Sequence, residues 1–378
     1  MSQIPVPFFT FEAACFGVDV AASVQRALAQ GQLVLGPQVQ AFEQAWARYV
    51  GTEHAVGVAN GTDALTLALL ALGVQPGQRV LTAANAGYYA SAAIARVGAQ
   101  PLYADVRPDC LTLAPAAVQA ALQADAALRP AAVIVTHLYG RMADMPALAA
   151  LCRQAGVPLV EDCAQAHGAR LNGQSAGAWG ALGCFSFYPT KNLGALGDGG
   201  ALTTSDARLA RRLRALRQYG WQERKYEVSL PGGMNSRLDE LQAAVLLDKL
   251  PHLDAANARR RAVAARYRAA LADLPGLTLP LPPGESDVAH LYVIRSPQRE
   301  ALRAHLQAQG VGCDVHYPVP DHRQRVHAAA WQALHLPVTE AACAQALSLP
   351  CHPGLTDEQV QRVAQAVRGF FTSGAPAC

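Results

Sequence analysis

Charge is scarce in this chain: Asp, Glu, Lys and Arg make up 16% of its 378 residues, and aromatics only 6%. The 31 Lys and Arg nearly cancel the 28 Asp and Glu, leaving a formal charge of +3. A dedicated nucleic-acid binder carries a stronger basic surplus, so that class is excluded. No apolar run approaches the ~20 residues that cross a bilayer, which excludes a helical membrane protein. The first segment, MSQIPVPFFTFEAACFGVDV, has no Lys or Arg before Arg26 and so lacks the basic start of a secretory leader. None of the nine cysteines forms a C-x-x-C pair, which removes zinc ribbons and thioredoxin-like motifs. An odd, scattered set of thiols fits a reduced, cytoplasmic protein. The histidines near the end (His305, His316, His322, His327, His335, His352) lack the helical pairing with a carboxylate that a metal site needs, so no metal is expected.

What is present is apolar: 51% of the chain is hydrophobic, which rules out a disordered chain. At roughly 150 residues per domain the length suggests two domains. From residue 55 short β-type runs alternate with helical ones. Strands are expected at 55–58, 79–81, 100–103, 133–137, 158–162, 185–188 and 200–204, and this rhythm predicts a mostly parallel sheet with helices on both faces. ALTLALLAL after Asn60-Gly61-Thr62-Asp63 reads as a helix, capped by Asn60 or Thr62 and closed by Gly73. Residues 236–272 read as almost continuous helix broken by Pro251, and HLYVIR, PQREALRAHLQAQG and VGCDVHY as a β-α-β element. The domains are placed at 1–249 and 250–378. RLARRLRALR, 208–217, reads as a solvated amphipathic helix, with attraction of a pyrophosphate as the lesser reading, and Arg259-Arg260-Arg261 as a wet helix face.

In an open parallel sheet, ligands bind where strands end and helices begin. Three segments fall there. Gly61-Thr62 opens a helix with free N–H groups and a hydroxyl, a ready phosphate site. Asp162 ends a buried strand, where a carboxylate is costly unless a cation or donors meet it. Lys191 follows Pro189 in a glycine-rich turn, a candidate Schiff-base lysine. Taken singly, each has an ordinary reading as a cap or a surface lysine. The glycines of 194–200 match neither a dinucleotide fingerprint nor a P-loop.

Phosphate cup, strand-end Asp and lysine in this order resemble the fold type I pyridoxal-phosphate enzymes. Within them the chain resembles the DegT/DnrJ/EryC1/StrS family of sugar aminotransferases. NGTDAL (60–65), HLYG-x-x-ADM (137–145), VEDCAQAHGA (160–169), FSFYPTKNLGALGDGGA (185–201), GMNSRLDE-x-QAA (233–244) and VHYPVPDH (315–322) carry the likeness over most of the chain. The resemblance implies an aspartate-aminotransferase-like α/β fold, a mostly parallel central sheet plus a smaller C-terminal α+β domain. It implies pyridoxal 5'-phosphate as cofactor, with pyridoxamine 5'-phosphate between half-reactions. Lys191 would bond the cofactor and shuttle the proton, and Asp162 would hold the pyridinium nitrogen protonated. Gln165 would sit near the phenolic oxygen, and Gly61, Thr62 and Ser186 would hold the phosphate. Asn235 would reach the phosphate of a neighbouring subunit, implying a homodimer with shared sites. Arg237, His316 and Tyr317 would lie near the substrate.

Departures from the family pattern matter too. Asn85-Ala86-Gly87-Tyr88-Tyr89 stands where relatives have a Thr-aromatic pair, so the resemblance implies that the ring stacking on the cofactor comes from Tyr88 or Tyr89, and Tyr88 is taken as the binding residue. Cys163 replaces the usual Ala, and Ala181 a common Asp. A dehydratase branch has His where this chain has Lys191, so lysine favours transamination. NSRLDELQAA and VHYPVPDH look most like enzymes that aminate C3 of a nucleotide-linked 3-keto-6-deoxyhexose, with L-glutamate as donor. C4 transfer, an aminocyclitol acceptor and, remotely, a non-catalytic regulatory protein stand as alternatives.

Overall fold

The computed structural model describes residues 5–125, 128–327, 331 and 333–372. Met1 to Ile4, Cys378 and the His327 side chain, all named above, lie outside what it describes. Strands β1 (His54–Val58), β2 (Arg79–Ala83), β3 (Gln100–Ala104), β4 (Ala132–Thr136) and β5 (Leu159–Asp162) come first, then a short hairpin, β6 (Arg170–Leu171) and β7 (Gln174–Ser175). Next are β8 (Leu182–Ser186) and β9 (Gly200–Thr204), and later β10 (Tyr292–Arg295) and β11 (Ala346–Leu349).

Seven strands form one sheet in the order β1-β9-β8-β5-β4-β2-β3. Strands β8, β5, β4, β2 and the edge strand β3 run parallel, and β9 turns back antiparallel between β8 and β1. The central strand AVIVT of β4 is buried at every residue, as a parallel strand covered on both faces must be. One apolar layer lies under Phe42, Trp46, Val133 and Leu148, the other under Leu65, Leu69, Ile94 and Leu213. The mostly parallel sheet with helices on both faces is therefore as expected. The helix Gly61–Leu72 begins at Asn60, whose side chain accepts from the Asp63 N–H, and ends at Gly73 in the left-handed conformation (φ +80°). Such a cap stabilises a helix by about 1 kcal/mol and fixes where its first turn stands. The arginine-rich helix Ala207–Leu216 buries Leu209, Leu213 and Leu216 and leaves Arg208 in water, as its pattern predicts.

The helical run expected at 236–272 begins only at Glu240 and, as expected, is broken at Pro251 into Glu240–Lys249 and Leu253–Leu271, joined by a tight turn at Leu250–His252. There Pro251 removes a backbone donor. Two expected strands differ. The strand expected at 185–188 is shifted back to Leu182–Ser186. VGCDVHY is not a strand: it makes only single bridges, Val311 to Val6 and Asp314 to Ser348. β11 takes its place, antiparallel to β10. A third apolar cluster, with Val263, Tyr267, Ile294, Leu302, Leu347 and Val363, packs around that pair and includes Val6 from the chain's beginning.

Candidate active site

Two adjoining cavities open at the C-terminal ends of the parallel strands. One, of about 300 Å³, is walled by Gly61, Thr62, Asp162, Ala164, Ser186 and Lys191. The other, of about 440 Å³, is walled by Lys191, Gln165, His316, Tyr317, Arg260 and His290. Lys191, Tyr89 and Tyr188 belong to both.

The first cavity is built from strand ends. The Gly61 and Thr62 N–H groups have no hydrogen-bond partner among the described residues, because Asn60 satisfies only the Asp63 and Ala64 donors. They stand at the positive end of a twelve-residue helix. A Cβ on Gly61 would come within 2.7 Å of Ser186 Cβ, so only glycine lets the helix start approach the end of β8. That end is held by His167, whose Nε2–H donates to the Ser186 carbonyl (2.9 Å). Burial pushes His167 down to about 3, so it stays neutral.

Asp162 ends β5 and is buried. It accepts from Thr136 Oγ1 (3.2 Å) and the Ala164 N–H (3.1 Å). Burial raises its pKa against these donors and the Lys191 charge, and no cation pairs with it among the described residues. Behind it, Glu161 accepts from His137 Nε2 (3.0 Å) and from the Gly177, Trp179 and Gly180 N–H groups. His137, Glu161 and Cys163 are close enough to suggest a metal. His137 Nδ1, however, already accepts from the Ala143 N–H, so these groups satisfy one another and brace the strand end.

Lys191 sits in a turn closed by its own N–H to the Tyr188 carbonyl (2.8 Å). Gly194 lets the turn fold tightly, since a Cβ there would lie 2.4 Å from the Pro189 carbonyl oxygen. Asn192 ties the turn down by donating to Asn257 Oδ1 (2.7 Å) and the Val288 carbonyl (3.1 Å). Burial lowers the Lys191 ammonium to about 8, with Asp162 pulling the other way.

On the second wall, Gln165 Oε1 accepts from the Tyr139 N–H (2.6 Å) and its Nε2 donates to the Tyr317 hydroxyl (3.1 Å). The Tyr139 hydroxyl donates to the His316 carbonyl. Tyr317 lies over Gly87, where a Cβ would meet its ring at 2.8 Å. This network clips the segment carrying His316 and Tyr317 onto the sheet.

Of the residues singled out from sequence, Lys191, Asp162, Gly61, Thr62, Ser186, Gln165, His316 and Tyr317 are thus brought together. Tyr88 is not: Gly87 and Tyr88 both take left-handed backbone (φ +81° and +72°). That directs the Tyr88 N–H to Asp321 Oδ1 (2.9 Å) and leaves Tyr89 to wall both cavities. Asn235 and Arg237 wall neither cavity. Ser236 between them anchors the segment to Asp63 Oδ2 (2.8 Å), and Asn235 is exposed. Two residues were missed. Arg260, read as part of a wet face, is 5% exposed, and His290, 6% exposed, was read only as the start of a strand. Helical spacing carried the signal for Arg260: Ala256, Asn257, Arg260, Val263, Ala264 and Tyr267 form one buried stripe.

Pyridoxal phosphate, which the resemblance implies, fits these residues. The first cavity offers free N–H groups and a serine for a phosphate, an unpaired buried carboxylate for a cationic ring nitrogen, and an amine of lowered pKa for an aldehyde.

A model of the DegT/DnrJ/EryC1/StrS aminotransferase family matches residues 15–368. The chain is 44% identical over 367 residues to a dTDP-3-amino-3,4,6-trideoxy-alpha-D-glucose transaminase from Streptomyces venezuelae, covering 96% of this chain and 95% of that one. It is 42% identical over 352 residues to a UDP-N-acetyl-3-dehydro-alpha-D-glucosamine 3-aminotransferase from Acidithiobacillus ferrooxidans, covering 93% of each. Its fold matches the crystal structure of S. venezuelae DesV in complex with a ketimine intermediate, with a TM-score of 0.93 at 43% identity over 98% of this chain and 99% of that one.

Proposed function

The chain belongs to the DegT/DnrJ/EryC1/StrS aminotransferase family, whose cofactor is pyridoxal phosphate, and from that premise we propose that it aminates C3 of a nucleotide-linked keto-deoxyhexose with L-glutamate as donor. The observation that carries this reading is the meeting of two cavities at Lys191, one fitted to a phosphorylated cofactor and one roomy enough for successive substrates. The C3 position is supported by two relatives whose names place the amine at carbon 3; one uses dTDP and the other UDP, so the nucleotide stays unnamed.

When bound, the cofactor supplies an electron sink that makes a Cα proton removable. The protein's part follows from the residues. The Gly61 and Thr62 N–H groups and Ser186 Oγ bind the phosphate, and Asp162 holds the proton on the ring nitrogen. Gln165 would face the phenolic oxygen, and Tyr89, which walls both cavities, would cover the ring in place of Tyr88. Lys191, which lines both cavities, would carry the proton between the substrate carbon and the cofactor. His316 and Tyr317 line the substrate's path. Asn235 and Arg237, which wall neither cavity of their own chain, would serve those of a second copy in a homodimer. We read residues 1–249 as the cofactor-binding unit and 250–378 as the smaller one, on the strength of the separate apolar cluster around β10 and β11. We read the protein as cytoplasmic from the scattered, unpaired thiols of its described residues.

The test is the holoprotein titrated with L-glutamate, following cofactor absorbance and 2-oxoglutarate release, and then offered 3-keto and 4-keto nucleotide sugars. Stoichiometric 2-oxoglutarate and amination of the 3-keto sugar are expected. Preference for the 4-keto sugar would overturn the C3 assignment, and an unmoved spectrum would overturn the donor.

The lowered Lys191 pKa has its own consequence. The reactive free amine grows as pH rises through about 8, so cofactor uptake by cofactor-free protein should speed by about tenfold per pH unit below 8 and level off above it. Stopped-flow absorbance from pH 6 to 9 measures this; a flat profile would contradict it.

A further inference from the structure

The donor and the sugar acceptor occupy the same chamber in turn, yet only one of them is an amino acid with a free carboxylate. The second cavity has few groups that could meet an anion. Asp314 would repel it. Gln165 is committed to Tyr139 and Tyr317, and His316 Nδ1 to Ser348 Oγ (2.9 Å). Lys191 is taken up by the cofactor.

His290 presents an acceptor. Asn192 gives both its amide protons away, to Asn257 and Val288, so its Oδ1 accepts from His290 Nδ1 (2.8 Å). The ring is therefore the Nδ1–H tautomer, and its Nε2 is bare. That nitrogen has no protein partner among the described residues, and the ring walls the cavity.

Arg260 is the remaining cation. Its Nη1 donates to the carbonyls of His290 (3.2 Å) and Cys351. Its Nε is buried without a partner, and its Nη2 has none among the described residues. No carboxylate pairs with it there either, whereas neighbouring Arg259 pairs with Asp357 (2.9 Å). A buried guanidinium without a counter-anion is costly, and it cannot shed its proton to escape the cost. An anion delivered from the cavity would offset that cost.

We propose that Arg260 is the carboxylate anchor of the amino donor, while His290 Nε2 accepts a hydrogen bond from the donor's ammonium group. The assignment rests on the transaminase reading above and adds to it the wall on which the donor docks. It also explains the single positive charge buried beside a bare acceptor, a pairing that suits a zwitterion and not a neutral sugar ring.

The test compares wild-type, Arg260→Gln and Arg260→Lys holoproteins. Calorimetry with glutarate, a dicarboxylate without the amine, reads the anchor independently of turnover. Single-turnover assays read the glutamate half-reaction and, in reverse, the amino-sugar half-reaction. Arg260→Gln should weaken glutarate and raise half-saturating glutamate at least tenfold, the order expected for losing a charge-assisted pair. The sugar's half-saturation should stay within twofold. Arg260→Lys should fall between, keeping the charge and losing the planar fork. Unchanged glutarate binding in Arg260→Gln overturns the assignment, as does equal loss in both half-reactions with a lowered melting temperature. Wild-type protein that binds glutarate but deaminates no amino acid would sink the transaminase reading and leave the anchor standing; wild-type protein that does not bind glutarate sinks the anchor.

Discussion

Lys191→Ala is expected to slow both half-reactions by about 10⁴-fold or more, some 5.5 kcal/mol of transition-state stabilisation. The loss is large because Lys191 is the amine shared by the two cavities, and no other lysine or unpaired basic side chain stands at their junction among the described residues. His290 cannot substitute, since burial pushes its pKa well below the ordinary value and leaves it too weak a base. The phosphate cup is untouched, so the variant should still bind cofactor, now without a covalent bond. It should also be no less stable without cofactor, because burial already disfavours the Lys191 charge. Single-turnover absorbance with glutamate is the measurement, with a melting curve as control. Turnover at a normal rate would end the proposed role of Lys191.

Asp162→Asn is the second large effect, expected to cost about 10³-fold or more in the glutamate half-reaction. The amide keeps the shape and the hydrogen bond from Thr136, yet it cannot hold a proton on a ring nitrogen as a carboxylate does. Stability supplies an independent reading with a definite sign. Burial raises the Asp162 pKa, so this group's contribution is present below the unfolded carboxyl pKa and is lost as pH rises through the folded one. In cofactor-free protein at neutral pH Asp162 is therefore a burden, and Asp162→Asn should melt no lower than wild type. With cofactor bound the order should reverse, because the carboxylate then has its cation. Melting curves at pH 7 with and without cofactor decide it. A variant that melts lower in both states would mark Asp162 as a structural acid only.

Most of the sheet was legible because its strands are short apolar β-type runs set between capped helices, and Asn60 and Gly73 mark one helix at both ends. The three pieces of the cofactor wall were legible because each lies at a strand end with its chemistry in the local motif. β11 was not. Ala346–Leu349 follows directly on the helix Pro337–Gln345, and Ala-Leu-Ser-Leu reads as well for the helix's tail. Pairing with β10, more than fifty positions earlier, decides its conformation, and no local pattern holds that information. VGCDVHY failed for the converse reason: its β-type residues serve single bridges on either side while its end joins the site. The choice between Tyr88 and Tyr89 hung on two successive left-handed residues, a conformation that glycine announces at 87 and tyrosine at 88 does not. Arg260 was hidden by its neighbours, since three arginines in a row look solvated until the helix's buried stripe is counted through the middle one.

The two cavities differ in where their walls come from, and that difference has a practical bearing on redesign. Asp162 and Ser186 end strands of the large sheet, and Gly61 and Lys191 lie in the helix start and turn that follow its strands, whereas Asp314, His316, Tyr317, Cys351 and His352, with Phe8 and Phe9, come from segments nearer the chain's two ends. Those end segments meet through Val6 and Val311 and reach the sheet side through Tyr139 to His316, Gln165 to Tyr317, and Asp321 to Ala84, Tyr88 and Ser91. A combinatorial library limited to Phe8, Phe9, Asp314, Val315 and His352 would therefore sample new ketone acceptors without disturbing the residues that hold the cofactor. Breeding a transaminase for a different amine product becomes a problem in about five positions, all of them remote in sequence from the lysine.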